Sequence, residues 1–165
     1  MLTHPPKALY IHIPFCSHRC HYCDFNTYVL EGQPVDAYLD ALELEMERTV
    51  GALPPERIDT VFVGGGTPTV LTPEQMARLT GAVRRWFPVA PDAEFTVEAN
   101  PGTTGPELLA AMREGGVNRI SFGVQAFDDA LLRRLGRIHD TEDACRSIGL
   151  AREAGFANIS IDLMF

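Results

Sequence analysis

The sequence predicts an α/β fold made of consecutive βα units, arranged as a parallel sheet or an α/β barrel. Three observations carry this. Short apolar, β-branched runs alternate with longer stretches whose apolar residues recur at helical spacing. Most of the runs end at glycine, proline or asparagine turn signals. No internal repeat or linker interrupts the alternation, so 165 residues, 45% of them hydrophobic, read as one core.

Taken in order, "ALYIHI" (8–13) is a strand that leads into a cysteine-bearing loop. Residues 35–50 form a helix with Val35, Leu39, Leu42 and Met46 on one face and Glu43 and Glu47 away from it. "TVFV" (60–63) is a β-branched strand running into "GGGTP". Thr72 is the N-cap of the next helix, Pro73 its first residue, and Gln75 closes a capping box. Met76, Leu79, Val83 and Trp86 form its apolar stripe. "EFTVEA" (94–99) is the third strand and ends in "NPG". A short helix over 106–114 stops at Gly115-Gly116, and 118–124 is the fourth strand. Helices over 128–135 and 141–154, separated by "GRIHD", lead to a fifth strand at 158–165. A parallel strand needs both faces covered, and no helix follows Phe165. Residues 1–165 are therefore expected to be an incomplete domain, with further βα units beyond it.

The formal net charge is −8, and all but one of the 14 basic residues are arginine. No Lys/Arg-rich run is present, which argues against nucleic acid and against a membrane surface as partners. The opening "MLTHPPKALYIHIPF" is too broken for a secretory signal, and nothing approaches a membrane span. A reducing cytoplasm is the expected compartment, where clustered cysteines hold metal or do redox chemistry.

Cys16, Cys20 and Cys23 follow a C-x3-C-x2-C pattern that lets three thiolates converge on one centre. Zinc would need His18 or His21 as a fourth ligand. A [4Fe–4S] cluster could instead be held at three irons, leaving one iron open to a non-protein ligand. Cys145, in a predicted helix among apolar neighbours, reads as a small buried hydrophobe. "GGGTP" (64–68) is neither a P-loop nor a dinucleotide fingerprint, but such a turn at a strand end allows close backbone approach to a ligand. Glu98, Gln125 and Asp162 lie at or near the carboxyl ends of strands three, four and five, where α/β folds bind ligands. Each could equally serve a structural ion pair or hydrogen bond. Asp162 shares a strand face with Ser160 and Met164, and burying its carboxylate without a partner would be costly.

With Tyr22 as the aromatic, C-x3-C-x-aromatic-C resembles the signature of the radical S-adenosylmethionine (SAM) superfamily. "LYIHIPFC", "CDF", "FVGGGTPT", "EANPGT", "NRISFGVQAFDD", "LGRIH" and "ISIDLMF" resemble, in order and spacing, its coproporphyrinogen III oxidase-like branch, most closely the HemW heme chaperones. The resemblance implies the N-terminal portion of a partial (βα)6 TIM-like barrel, truncated after the fifth strand. Residues 1–165 would be a radical SAM core domain, with the rest of the barrel and the heme- or substrate-binding region absent. It implies that Cys16, Cys20 and Cys23 hold the [4Fe–4S] cluster, and that SAM chelates the open iron and is cleaved there to a 5′-deoxyadenosyl radical. Tyr10, Tyr22, Gly65, Gly66, Thr67, Glu98, Gln125, Arg137 and Asp162 match SAM-contact positions. Arg137 suits the SAM carboxylate as a bidentate fork, and Glu98 and Asp162 suit the ribose hydroxyls or the amino group.

Two functions compete within that branch. One is a chaperone that carries heme to hemoproteins. The other is an enzyme, an oxygen-independent oxidase that decarboxylates coproporphyrinogen III propionates to vinyl groups. The oxidases resemble C-x3-C-x2-C-x-C and carry a long N-terminal arm. Here Phe25 holds the fourth cysteine's place and only 15 residues precede Cys16, which favours the chaperone. The implied partners are heme or coproporphyrinogen III, an electron donor protein and recipient hemoproteins, with membranes reached only through those partners. His4, His12, His18, His21 and His139 are the histidines available as heme ligands, and nothing singles one out.

Overall fold

The computed structural model describes residues 5–165. In chain order the strands are β1 (Ala8–Ile13), β2 (Phe15–Cys16), β3 (Tyr28–Val29), β4 (Ile58–Gly65), β5 (Val89–Ala99), β6 (Arg119–Gln125) and β7 (Asn158–Leu163). The helices are α1 (Val35–Ala52), α2 (Pro73–Trp86), α3 (Pro106–Glu114), α4 (Asp129–Leu135) and α5 (Thr141–Glu153). Five strands form one parallel sheet in the order β1-β4-β5-β6-β7. Strands that are neighbours in this order are joined through helices, as a run of βα units requires.

Side chains alternate across the sheet and give it two unlike faces. One face carries Ile11, Ile13, Val61, Val63, Phe95, Val97, Ile120, Phe122 and Val124, all buried. Leu39, Met46, Met76, Leu79, Val83, Leu109 and Met112 of the helices complete this core. The other face is polar across its β5-β6-β7 side. There Arg119 donates to Ser160 at 2.8 Å and to Thr96 at 3.3 Å, and Ser160 and Ser121 are bonded at 2.8 Å. The capping box of α2 forms as its residues predict, with Gln75 N–H on the Thr72 hydroxyl at 3.2 Å and Thr72 N–H on Gln75 Oε1 at 3.1 Å.

Three features differ from the sequence reading. Strand β5 begins at Val89, not 94, because a lone rung pairs Ile58 with Val89 before an irregularity. Pro91 and Asp92, both disfavoured in strands, hide that start. Second, β2 and β3 pair in parallel, Phe15 with Tyr28 and Cys16 with Val29, and close the cysteine loop at its base. Two-residue strands are too short to show a period. Third, Cys145 is exposed, not buried. The inner face of α5 is Ala144, Ser147 and Ala151, and Cys145 lies one position off it. Among the described residues no helix is long and apolar enough to cross a membrane.

Candidate metal and cofactor site

A cavity of about 340 Å³ lies at the carboxyl ends of the parallel strands, on the polar side of the sheet. Cys16, Cys20, Cys23, Tyr22, Gly65, Gly66, Thr67, Glu98, Gln125, Arg137 and Asp162 all line it. The carboxyl ends of the five strands, with the loop between α4 and α5 that carries Arg137, thus bring eleven of the twelve sequence-derived site residues to one cavity. Tyr10 is the exception. It lies on the same face but earlier in its strand, with its hydroxyl 2.9 Å from His12 Nδ1 and its ring stacked on Phe62.

The cysteine loop is held from two sides. Cys23 N–H donates to Cys20 C=O at 3.2 Å, a tight turn between the second and third thiols. His21 docks on the end of α4, whose last carbonyls have no partner within the helix. Its N–H reaches Leu135 C=O at 3.0 Å, and its Nδ1 is 3.1 Å from Arg134 C=O and donates there. Gly136 ends that helix at φ 72°, and a Cβ on it would lie 2.8 Å from the His21 ring. Arg137 Nη1 donates to Cys20 Sγ at 3.3 Å and contacts Tyr22 Oη at 3.5 Å. His139 is buried with Nε2 on Val124 C=O at 3.1 Å. The "LGRIH" segment is therefore the clasp of the cysteine loop.

Burial pushes the Cys16 thiol up, and nearby Cys23 and Cys20 add to this, against a hydrogen bond from the Thr67 hydroxyl at 3.5 Å. A thiolate here is therefore favoured chiefly by a bound cation or metal. Among the described residues no three Cys, His, Asp or Glu side chains close around a single ion. The three thiols instead share the wall of a cavity with room for a larger group.

Glu98 accepts the Gly65 N–H at 3.0 Å. Burial raises its pKa and the Asp162 carboxylate adds to the rise, while the Gly65 N–H and His12 oppose it. The folded state therefore holds this proton more tightly than the unfolded chain. The stability Glu98 contributes is complete below the ordinary carboxyl pKa and is lost as pH rises through the raised value. Glu98→Gln is expected to melt progressively higher relative to wild type as pH rises from about 4 towards neutrality. Thermal melts of the cofactor-free protein across that range check this, and a constant difference would remove the assignment.

Arg137 differs from the fork expected of it. Its Nη2 donates to Asn100 Oδ1 and to Gly123 C=O, both at 2.6 Å, so only Nη1 remains beside the cysteine loop. Asp162 lies on β7, and its carboxylate has a hydrogen-bonding partner in the Ser121 hydroxyl 3.4 Å away. Gln125 is the one described non-glycine residue with positive φ, 70°, and its carbonyl accepts Met164 N–H at 2.9 Å. Such a backbone costs on the order of 1 kcal/mol, and it lies where β6 ends at the cavity. Asn100 lines the cavity between Thr67 and Arg137 and went unread, because "NPG" looks like a turn and nothing more. Phe25 also lines it. Of the histidines, His18 lines the cavity, His12 reaches Asn26 C=O at 3.2 Å, and His4 lies outside the described residues.

The sequence profile of the radical SAM superfamily matches residues 10–165. The chain is 52% identical over 160 residues to a heme chaperone HemW of Bacillus subtilis, covering 96% of this chain and 42% of that protein. It is 44% identical over 165 residues to heme chaperone HemW of Escherichia coli K12, covering 99% of this chain and 44% of that protein. Among solved structures, the radical SAM enzyme coproporphyrinogen III oxidase (HemN) of Escherichia coli superposes with a TM-score of 0.90 at 37% identity. That match covers 98% of this chain and 38% of the oxidase. The chain thus spans about two fifths of the length of these relatives.

Proposed function

The chain belongs to the radical SAM superfamily, and on that footing we propose that it is the cluster- and SAM-binding part of a heme chaperone. Cys16, Cys20 and Cys23 hold a [4Fe–4S] cluster, and SAM completes the iron that no cysteine reaches. The residues fit such a group. Three thiols share one wall of the cavity, with a hydroxyl and a guanidinium donor on two of them. When bound, a cluster of this kind supplies one-electron chemistry at SAM. The chain's own residues position and select. The Gly64–Thr67 turn offers close backbone approach, and Glu98 and Asp162 accept hydrogen bonds from ammonium or hydroxyl groups. Tyr22 and Gln125 add polar edges, and Arg137 faces the ligand through Nη1 alone. Tyr10, off the cavity wall, is not assigned a contact.

The single observation that carries the chaperone reading is the 52% identity with the Bacillus subtilis heme chaperone across 96% of the chain. Phe25 on the cavity wall supports it, since the oxidases' C-x3-C-x2-C-x-C pattern has a fourth cysteine in that place. A second reading, oxidation of coproporphyrinogen III, is favoured by the 0.90 superposition on the oxidase. Full-length protein, reconstituted anaerobically and given SAM, reductant and either heme or coproporphyrinogen III, separates the two. Stoichiometric heme retention and transfer to an apo-hemoprotein is expected, and catalytic formation of vinyl product would replace the first reading with the second. Electron donor, recipient hemoproteins and a cytoplasmic setting belong to the same proposal.

A further inference from the structure

We propose that Asn100 is a positioning residue that directs hydrogen bonds onto two of the three cysteine sulfurs at once. The proposal rests on reading those thiols as cluster ligands. Its basis is that every proton in the network has one possible direction. Arg137 can only donate, and its Nη2 lies 2.6 Å from Asn100 Oδ1, so the amide oxygen must face Arg137. Asn100 Nδ2 is then the donor to Thr67 Oγ1 at 2.8 Å. The Thr67 hydroxyl, having accepted from Asn100, keeps its own proton to give, and Cys16 Sγ is 3.5 Å away. Thr67 is 1% exposed, so water does not compete for that proton. At the other end the same guanidinium donates through Nη1 to Cys20 Sγ at 3.3 Å.

Asn100 is itself held in place. Its carbonyl accepts the Thr103 hydroxyl at 2.7 Å, and Thr103 is bonded to the buried Thr69 at 2.6 Å. The second Nη2 bond, to Gly123 C=O at 2.6 Å, fixes the guanidinium plane. The donor-only guanidinium therefore fixes the polarity, and the Asn100 amide relays it along a continuous path from Arg137, which reaches Cys20, through Thr67 to Cys16. Hydrogen bonds to ligand sulfurs withdraw charge from an iron–sulfur cluster and raise its reduction potential.

Two substitutions test the path. Asn100→Asp keeps the acceptor for Arg137 but replaces the donor with an oxygen, which draws the Thr67 proton away from Cys16. Thr67→Val removes that proton, and Thr67→Ser retains it. In reconstituted full-length protein, EPR-monitored titration should show a lower midpoint potential for Asn100→Asp and Thr67→Val, with Thr67→Ser like wild type. The double variant should lie above the sum of the two single shifts, because both act on one hydrogen bond. In cluster-free protein, the Asn100 side-chain amide protons should exchange slowly, and Thr67→Val should speed one of them. An unchanged potential in Thr67→Val, a Thr67→Ser variant equal to Thr67→Val, or amide exchange indifferent to Thr67→Val would each overturn the proposal. If wild type binds zinc without sulfide, the cluster reading fails, and the amide exchange still decides the path.

Discussion

Alanine at Cys16, Cys20 or Cys23 is expected to abolish cluster assembly, whereas alanine at Cys145 leaves it intact. Each of the first three thiols lines the same cavity, and losing any leaves two protein ligands, too few to anchor a cluster whose fourth iron is already open. The fold should survive, because the loop is held by backbone bonds: His21 to Leu135, Tyr28 to Pro14 and Leu30 to Cys16. Cys145 is exposed on α5 and does not border the cavity. Iron and sulfide per chain after anaerobic reconstitution, with thermal melts of the same samples, separate loss of the cluster from loss of the fold. Equal loss at all four positions would overturn the ligand assignment, and one zinc with no sulfide in wild type would overturn the cluster itself.

Gly66→Ala is expected to damage both the turn and the site. An added Cβ would lie 2.6 Å from the Phe15 carbonyl oxygen and 3.0 Å from Cys16 Sγ. The first obstacle is backbone and cannot rotate away. Moving the turn instead would break Gly66 N–H to Ile13 C=O and Thr67 N–H to Phe15 C=O, both at 2.8 Å. The expected cost is about 1–3 kcal/mol of stability, with SAM affinity reduced about tenfold or more. Gly81→Ala is the control. Its Cβ meets nothing within 4 Å, it sits in the interior of α2, and alanine there should stabilise by about 1 kcal/mol. Denaturant melts and equilibrium SAM binding read both. A Gly66→Ala variant that binds SAM like wild type would mean the turn does not approach the ligand.

How much of this was legible beforehand depended on the type of signal. The helices and their caps are written in local chemistry: Thr72 and Gln75 close their box within four residues, and residues 106–114 form a helix as read. The five strands were legible as apolar runs, and the three cysteines and the glycine turn as motifs. Their position along those runs also placed Glu98, Gln125 and Asp162 at or near strand ends. The start of β5 was not legible, since Pro91 and Asp92 contradict it locally and one pairing with Ile58 overrides them.

By itself, then, the sequence determined the order of βα units, the three-thiol loop and the glycine turn, because each depends on residues a few positions apart. Only the tertiary structure decided the exposure of Cys145, the position of Tyr10 off the cavity wall, and the partners of Arg137 and Asp162. It also revealed Asn100 as the link between Thr67 and Arg137, which lie 33 and 37 residues from it. The physical reason is one of range. Spacing specifies which side chains share a face of their own element. Which donor meets which acceptor across the ends of five strands is set only when the sheet register brings them within 3 Å or so of each other.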